Sequence, residues 1–130
     1  MGRGVALVSV EPLSFFGGVD PRTGRIVEKG HELYGRKIAS RVLIFPRGKG
    51  STVGSYVIYS MSKYGTAPAA ILNVQTEPIV VAGCVLGNIP LVDRLETDPT
   101  ESIRNGDHVS VDGGKGIVKV RRKRTVASKM

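Results

Sequence analysis

Thiol chemistry is all but missing from this sequence. A single cysteine, Cys84, stands among 130 residues. One thiol closes no internal disulfide and cannot supply the three or four thiolates of an iron–sulfur cluster. Its place inside the apolar run 79–86 reads as a small buried hydrophobe rather than a ligand or nucleophile. Tryptophan is absent, and three Phe with four Tyr leave few platforms for base stacking. No apolar run approaches the roughly 20 residues of a membrane-spanning helix. Residues 1–10 lack the apolar stretch and cleavage site of a signal peptide. These absences predict a soluble, cytoplasmic protein with no membrane partner.

What is present is a core. Apolar residues make up 41% of the chain, enough to bury one and to argue against general disorder. The length predicts a single domain over residues 1–130. Glycine is frequent, and Val, Ile, Leu and Ala dominate the apolar set. That composition fits short β-branched strands joined by many turns. The runs 5–10, 38–45 (most clearly Val42-Leu43-Ile44-Phe45), 69–73 and 79–86 read as strands, the last two as strands buried on both faces. Pro12 ends the first. Residues 13–24, with Gly17-Gly18 and Asp20-Pro21, read as a long loop in which Phe15 and Phe16 need cover. Alternation at His108-Val109-Ser110-Val111-Asp112, then Asp112-Gly113-Gly114-Lys115-Gly116, predicts a hairpin returning over 117–121.

One helix is predicted, over 52–64. Val53, Val57, Met61 and Tyr64 share a face at spacings of four, four and three. Ser51 or Thr52 suits its N-cap, Lys63 its last turn and Gly65 its end. The turn ahead of it, Pro46-Arg47-Gly48-Lys49-Gly50-Ser51, is the most informative segment. A helix start offers unpaired N–H groups and a positive dipole end, both of which favour an anion. Gly48 and Gly50 permit sharp bends and Gly54 a close approach. Ser51, Thr52 and Ser55 add hydroxyls, while Arg47 and Lys49 add charge. The GxxxxGK[ST] spacing of a P-loop is absent. The same residues could simply cap a helix and make a turn.

In order and over nearly its whole length, the chain resembles the swivel-domain, small-subunit branch of the aconitase X family. The resemblance rests on Pro12-Leu13-Ser14-Phe15-Phe16-Gly17-Gly18-Val19-Asp20-Pro21 with Gly24, on Gly50-Ser51-Thr52-Val53-Gly54-Ser55, and on Ala67-Pro68-Ala69-Ala70-Ile71. Gly83 and Gly106-Asp107-His108-Val109-Ser110-Val111-Asp112-Gly113 also match. The first motif is long and distinctive; the last is shared by swivel domains generally. The fold implied is a β-rich α/β, swivelling β/β/α domain, a small barrel-like sheet core with one principal helix after the glycine-rich turn.

The activity implied is a hydro-lyase that dehydrates (R)-5-phosphomevalonate to trans-anhydromevalonate 5-phosphate, in an archaeal-type mevalonate pathway to isoprenoids. Sister members act on cis-3-hydroxyproline. The resemblance further implies a heterodimer, active only with a large subunit. That partner holds a [4Fe-4S] cluster whose open iron takes the leaving hydroxyl, and this chain supplies the serine that takes the proton. In aconitase-like enzymes that serine follows the glycine of a glycine-serine-serine-arginine motif. The motif maps onto Gly50 and Ser51, with Thr52 at the second serine. Val53 stands where the arginine would be, a departure. The substrate anion then falls to backbone N–H groups of the 50–55 turn, to Arg47 or Lys49, or to the partner.

Net charge of +8 seeks anions but does not choose among them. Much of the excess sits at Lys119, Arg121, Arg122, Lys123 and Arg124. A nonspecific nucleic-acid patch is one reading, but no recognition helix accompanies it. A surface matching an acidic large subunit is the preferred one. A phosphohistidine swivel domain would need a histidine in the glycine-rich turn; His31 and His108 lie elsewhere and read as ordinary polar residues. A purely structural subunit without a catalytic residue is the remaining alternative.

Overall fold

The computed structural model describes residues 1–122. Along the chain run β1 (Gly2–Val8), β2 (Leu13–Ser14), β3 (Val19–Asp20), β4 (Arg25–Ile26), β5 (Val42–Phe45), β6 (Gly48–Lys49), α1 (Gly54–Tyr64) and β7 (Ala70–Asn73). Then come α2 (Pro78–Gly87), β8 (Leu91–Val92), α3 (Pro99–Ser102), β9 (His108–Asp112) and β10 (Ile117–Arg121). Six strands form one sheet in the order β10-β9-β1-β5-β7-β8, curled as a half-barrel. The β1–β5, β5–β7 and β7–β8 pairs are parallel, while β9 pairs antiparallel with both β1 and β10. The predicted β-rich α/β swivel architecture is what the chain adopts.

Two cores flank this sheet. On one face, Leu7, Leu43, Phe45 and Ile71 meet Ile58 and Met61 of α1, Val80 and Cys84 of α2, and the 13–38 segment through Leu13, Phe15, Ile26 and Ile38. On the other, Ala6, Val42, Ile44, Ala70 and Leu72 pack with Val109, Val111, Val92 and Ile103. Cover on both sides explains why β5 and β7 are buried at every position and read as unbroken apolar runs.

The run 79–86 is not a strand but α2, a correction that also gives the fold a second substantial helix. An eight-residue apolar run suits a buried strand or a helix equally, and the residues ahead of it decide. Pro78 occupies the first turn, where its missing N–H costs nothing. The Glu77 carboxylate accepts hydrogen bonds from the N–H groups of Ile79 (2.8 Å) and Val80 (3.0 Å). Thr76-Glu77-Pro78 is therefore a helix start. Val80, Gly83 and Cys84 face inward at helical spacing. A methyl group on Gly83 would lie 2.7 Å from Ile58, so this glycine sets how closely α2 crosses α1.

Helix α1 starts at Gly54 rather than residue 52, and its inward face is displaced. Gly54, Ser55, Ile58 and Met61 are buried, whereas Val53 and Tyr64 are exposed. Val53, not Ser51 or Thr52, holds the cap position and makes no side-chain cap bond. Gly65 ends the helix in the left-handed conformation, as expected. In the 13–24 loop, Phe15 is buried against Phe45 with ring centroids 6.0 Å apart. Phe16 stays 53% exposed.

Candidate functional site

The glycine-rich turn is held by a short parallel pairing that the sequence did not announce. Strand β6 lies beside β2, with Leu13 opposite Gly48 and Ser14 opposite Lys49. Gly50 then takes φ of +87°, a region that favours glycine strongly. A side chain there would meet Ser14 Oγ at 2.7 Å. The outcome of this bend is that Ser51 stands exposed immediately ahead of α1.

The Ser51 hydroxyl oxygen accepts the Val53 N–H at 3.1 Å. The Gly54 N–H donates to the Ser51 carbonyl (3.0 Å) and the Ser55 N–H to the Thr52 carbonyl (3.2 Å). Three N–H groups expected to greet an anion are thus spent in the turn. Among the described residues, the Ser51 and Thr52 N–H groups have no partner. The open donors therefore sit at the serine itself and the residue after it. Thr52 and Val53 are exposed around them. Ser55 is buried and its hydroxyl donates to the Thr52 carbonyl at 3.0 Å, so it braces the turn. Gly54 is buried, and a methyl group on it would meet Ile79 at 3.1 Å and Phe15 at 3.4 Å, so its close approach is internal packing.

The two cations of the turn differ. The Lys49 ammonium lies 2.8 Å from Glu28 Oε2, and Glu28 Oε1 accepts the Ser14 N–H at 3.0 Å. Burial pushes the Glu28 carboxyl up, but the Lys49 and Ser14 hydrogen bonds outweigh it and hold the group below its ordinary range. Glu28 therefore bridges both strands of the β2–β6 pair. Sequence reasoning missed it: 21 positions before Lys49 it leaves no local pattern, and only the strand pairing joins them. Arg47 is exposed, and although its carbonyl accepts the Leu13 N–H (3.2 Å), its guanidinium makes no hydrogen bond among the described residues. It borders a cleft of about 390 Å³ with Pro46, Val74, Gln75 and Thr76.

The remaining polar candidates have structural partners. His31 is buried, with Nε2 3.1 Å from the Pro12 carbonyl and Nδ1 accepting the Leu33 N–H. His108 is exposed on β9. Asp20 accepts the Arg22 N–H and fixes a turn. Arg122 pairs with Asp107 at 2.6 Å and donates to the Ser102 carbonyl. Lys123 and Arg124 lie outside the described residues. Cys84 is buried, and burial pushes its thiol up to about 12, so a thiolate ligand is disfavoured. Among the described residues no group of three His, Cys, Asp or Glu could hold a metal ion; they do not fit an iron–sulfur cluster.

What the turn offers is two exposed hydroxyls, Ser51 and Thr52, at a helix start, two open N–H donors beside them, a tethered ammonium and a free guanidinium. That set can take up a proton from, and bind, an anionic substrate. It supplies no electrophile for a leaving group.

A model of the aconitase X swivel domain matches residues 1–120. The chain is 58% identical to the phosphomevalonate dehydratase small subunit of Methanocella arvoryzae, over 90% of this chain and 89% of that one. It is 53% identical to the protein of the same name from Methanosarcina acetivorans, over 91% and 82%. Its fold is similar to that of a chain in the crystal structure of Thermococcus kodakaraensis aconitase X (holo-form). The TM-score is 0.87 at 43% identity, covering 92% of this chain and 89% of that one.

Proposed function

The chain belongs to the aconitase X swivel-domain family, and on that premise we propose that it is the small subunit of a two-chain cytoplasmic dehydratase acting on (R)-5-phosphomevalonate, with Ser51 as the proton acceptor. The observation that carries the reading is the near full-length likeness to small subunits of phosphomevalonate dehydratases. The whole described chain forms the single swivel domain, and the [4Fe-4S] cluster belongs to the large subunit. That placement accords with a chain whose one cysteine is buried.

Dehydration removes a proton from the carbon beside the carboxylate and hydroxide from the next carbon. A double bond forms between them, giving trans-anhydromevalonate 5-phosphate and water. The cluster, when bound by the partner, supplies the Lewis acid for the departing hydroxyl. Ser51 takes the proton. A serine hydroxyl is a weak base, so it works only where its oxyanion is stabilised. The Val53 N–H already donates to this oxygen, and the start of α1 adds its dipole. The open Ser51 and Thr52 N–H groups and Arg47 are the donors this chain brings to the substrate anions. Lys49, tied to Glu28, shapes the turn and contributes its remaining N–H donors. Val53 replaces an arginine clamp, leaving the rest of that task to the partner.

The test is anaerobic turnover of 5-phosphomevalonate followed by phosphorus NMR, with this chain and the large subunit together. Activity of the intact pair, none with either chain alone, and a loss of about 10²–10⁴-fold for Ser51→Ala is the expected result. Full activity of the Ser51→Ala pair would leave the chain a structural subunit only. An assembled, cluster-loaded pair without turnover would reject this substrate.

A further inference from the structure

Helix α2 carries ten residues, Pro-Ile-Val-Val-Ala-Gly-Cys-Val-Leu-Gly, and none is polar enough to face water by preference. A surface helix turns an apolar stripe inward and polar residues outward, whereas one that is apolar all round is buried. Here Val80, Gly83 and Cys84 face the core. Val81, Val85 and Leu86 occupy the opposite arc, and Val85 and Leu86 are 75% and 50% exposed. The stripe that should be polar is a ridge of aliphatic side chains, the pattern of a surface that something covers.

The ridge belongs to the helix whose first residues lie beside the turn bearing Ser51. A methyl group on Gly54 would lie 3.1 Å from Ile79 and 3.4 Å from Phe15, so the start of α2 abuts the turn bearing Ser51. Around that turn Phe16, Val53 and Tyr56 are exposed as well. A partner that reaches Ser51 meets these exposed apolar residues first, with α2 alongside them.

We propose that the outward ridge of α2, running on from Phe16, Val53 and Tyr56 beside Ser51, is a seat of the large catalytic subunit. The inference rests on the two-chain reading above and names the surface it uses. A second copy of this chain is the competing occupant. It is disfavoured because covering this face would close off Ser51.

The experiment titrates the full-length small chain into the cluster-loaded large subunit and reads affinity by calorimetry and turnover by phosphorus NMR. Val85→Glu and Leu86→Lys put a charge on the ridge at exposed positions outside the catalytic turn. Each is expected to weaken assembly at least tenfold while kcat at saturating small subunit stays unchanged. Radical footprinting of the wild-type pair, which needs no variant to fold, should show Val85 and Leu86 losing reactivity on assembly. Unchanged affinity with unchanged footprints overturns the inference. So does self-association of the small chain that the substitutions abolish while the heteromer is unaffected. A wild-type pair that assembles without turning over 5-phosphomevalonate rejects the substrate and leaves the docking surface standing. A pair that never assembles overturns both.

Discussion

Two helices begin side by side, and they begin differently. At α2 the extended backbone of Glu77 (φ −132°, ψ 168°) turns its carboxylate onto two N–H groups, and Pro78 removes a third donor. At α1 the cap residue Val53 already has helical angles (φ −60°, ψ −19°) and no capping side chain. Ser51 lies ahead of it with two N–H groups open. One start is sealed by its cap; the other keeps open donors. A capping hydroxyl or carboxylate needs the extended geometry that Glu77 has, so α1 could not be sealed without rebuilding the turn that presents Ser51. The difference teaches that the start of α1 gives up the local stability a cap would add, which is the cost expected of a turn shaped to bind, as proposed above.

Substitutions at the two starts should separate these roles. The largest effect on stability is expected at Gly50→Ala, because the left-handed backbone and Ser14 Oγ both oppose a methyl group. The expected loss is roughly 2 kcal/mol, a fall in melting temperature of about 8 °C, with turnover reduced at least about tenfold as Ser51 is displaced. Thermal melts and phosphorus NMR on the assembled pair would show it; a silent Gly50→Ala would remove the geometric argument for the turn. Glu77→Ala should cost about 1 kcal/mol, a melting shift of about 4 °C, and leave kcat as it was. A kcat loss in a folded Glu77→Ala pair would mean that the sealed start also serves the chemistry.

The smallest effect is expected at Glu28. Its folded carboxyl titrates below the ordinary range, so its contribution is fully present above that range and fades as pH falls through the lowered value. Wild type should therefore lose stability to Glu28→Gln near neutrality by a modest margin, since the Lys49 partner is half exposed. The gap between the two should close in acid. Denaturant midpoints at neutral and acid pH would measure it, and a gap that widens in acid would contradict the assigned cause.

Much of this was legible in the residues. Val42-Leu43-Ile44-Phe45 is the strand it looks like, and the alternation 108–112 with its glycine turn is the hairpin. The glycine-rich turn ahead of a helix read as an anion cradle from local chemistry, whereas Ser51 as proton acceptor came from the family resemblance and not from the residues around it. Helix α2 was not legible, because Ile79 to Leu86 satisfies either period and the deciding cap lies outside the run. The distinction between Phe15 and Phe16 was invisible too, since adjacent residues of one loop differ only in which side the fold happens to cover. Glu28 escaped for a related reason: its bridging role exists only after β2 and β6 have met.

Strand β1 lies between β5 on one edge and β9 on the other, so Gly2–Val8 hydrogen-bonds to residues 42–44 and to residues 108–111. Of the pairings in this sheet, β1 with β9 joins the residues furthest apart in sequence. Until the β9–β10 hairpin is synthesised, β1 offers a bare edge that other chains could pair with, and closing it requires contacts across nearly the whole sequence. Docking of the β9–β10 hairpin is thus the step that seals the sheet, and a substitution that loosens the hairpin exposes an edge in the middle of the sheet rather than at its rim.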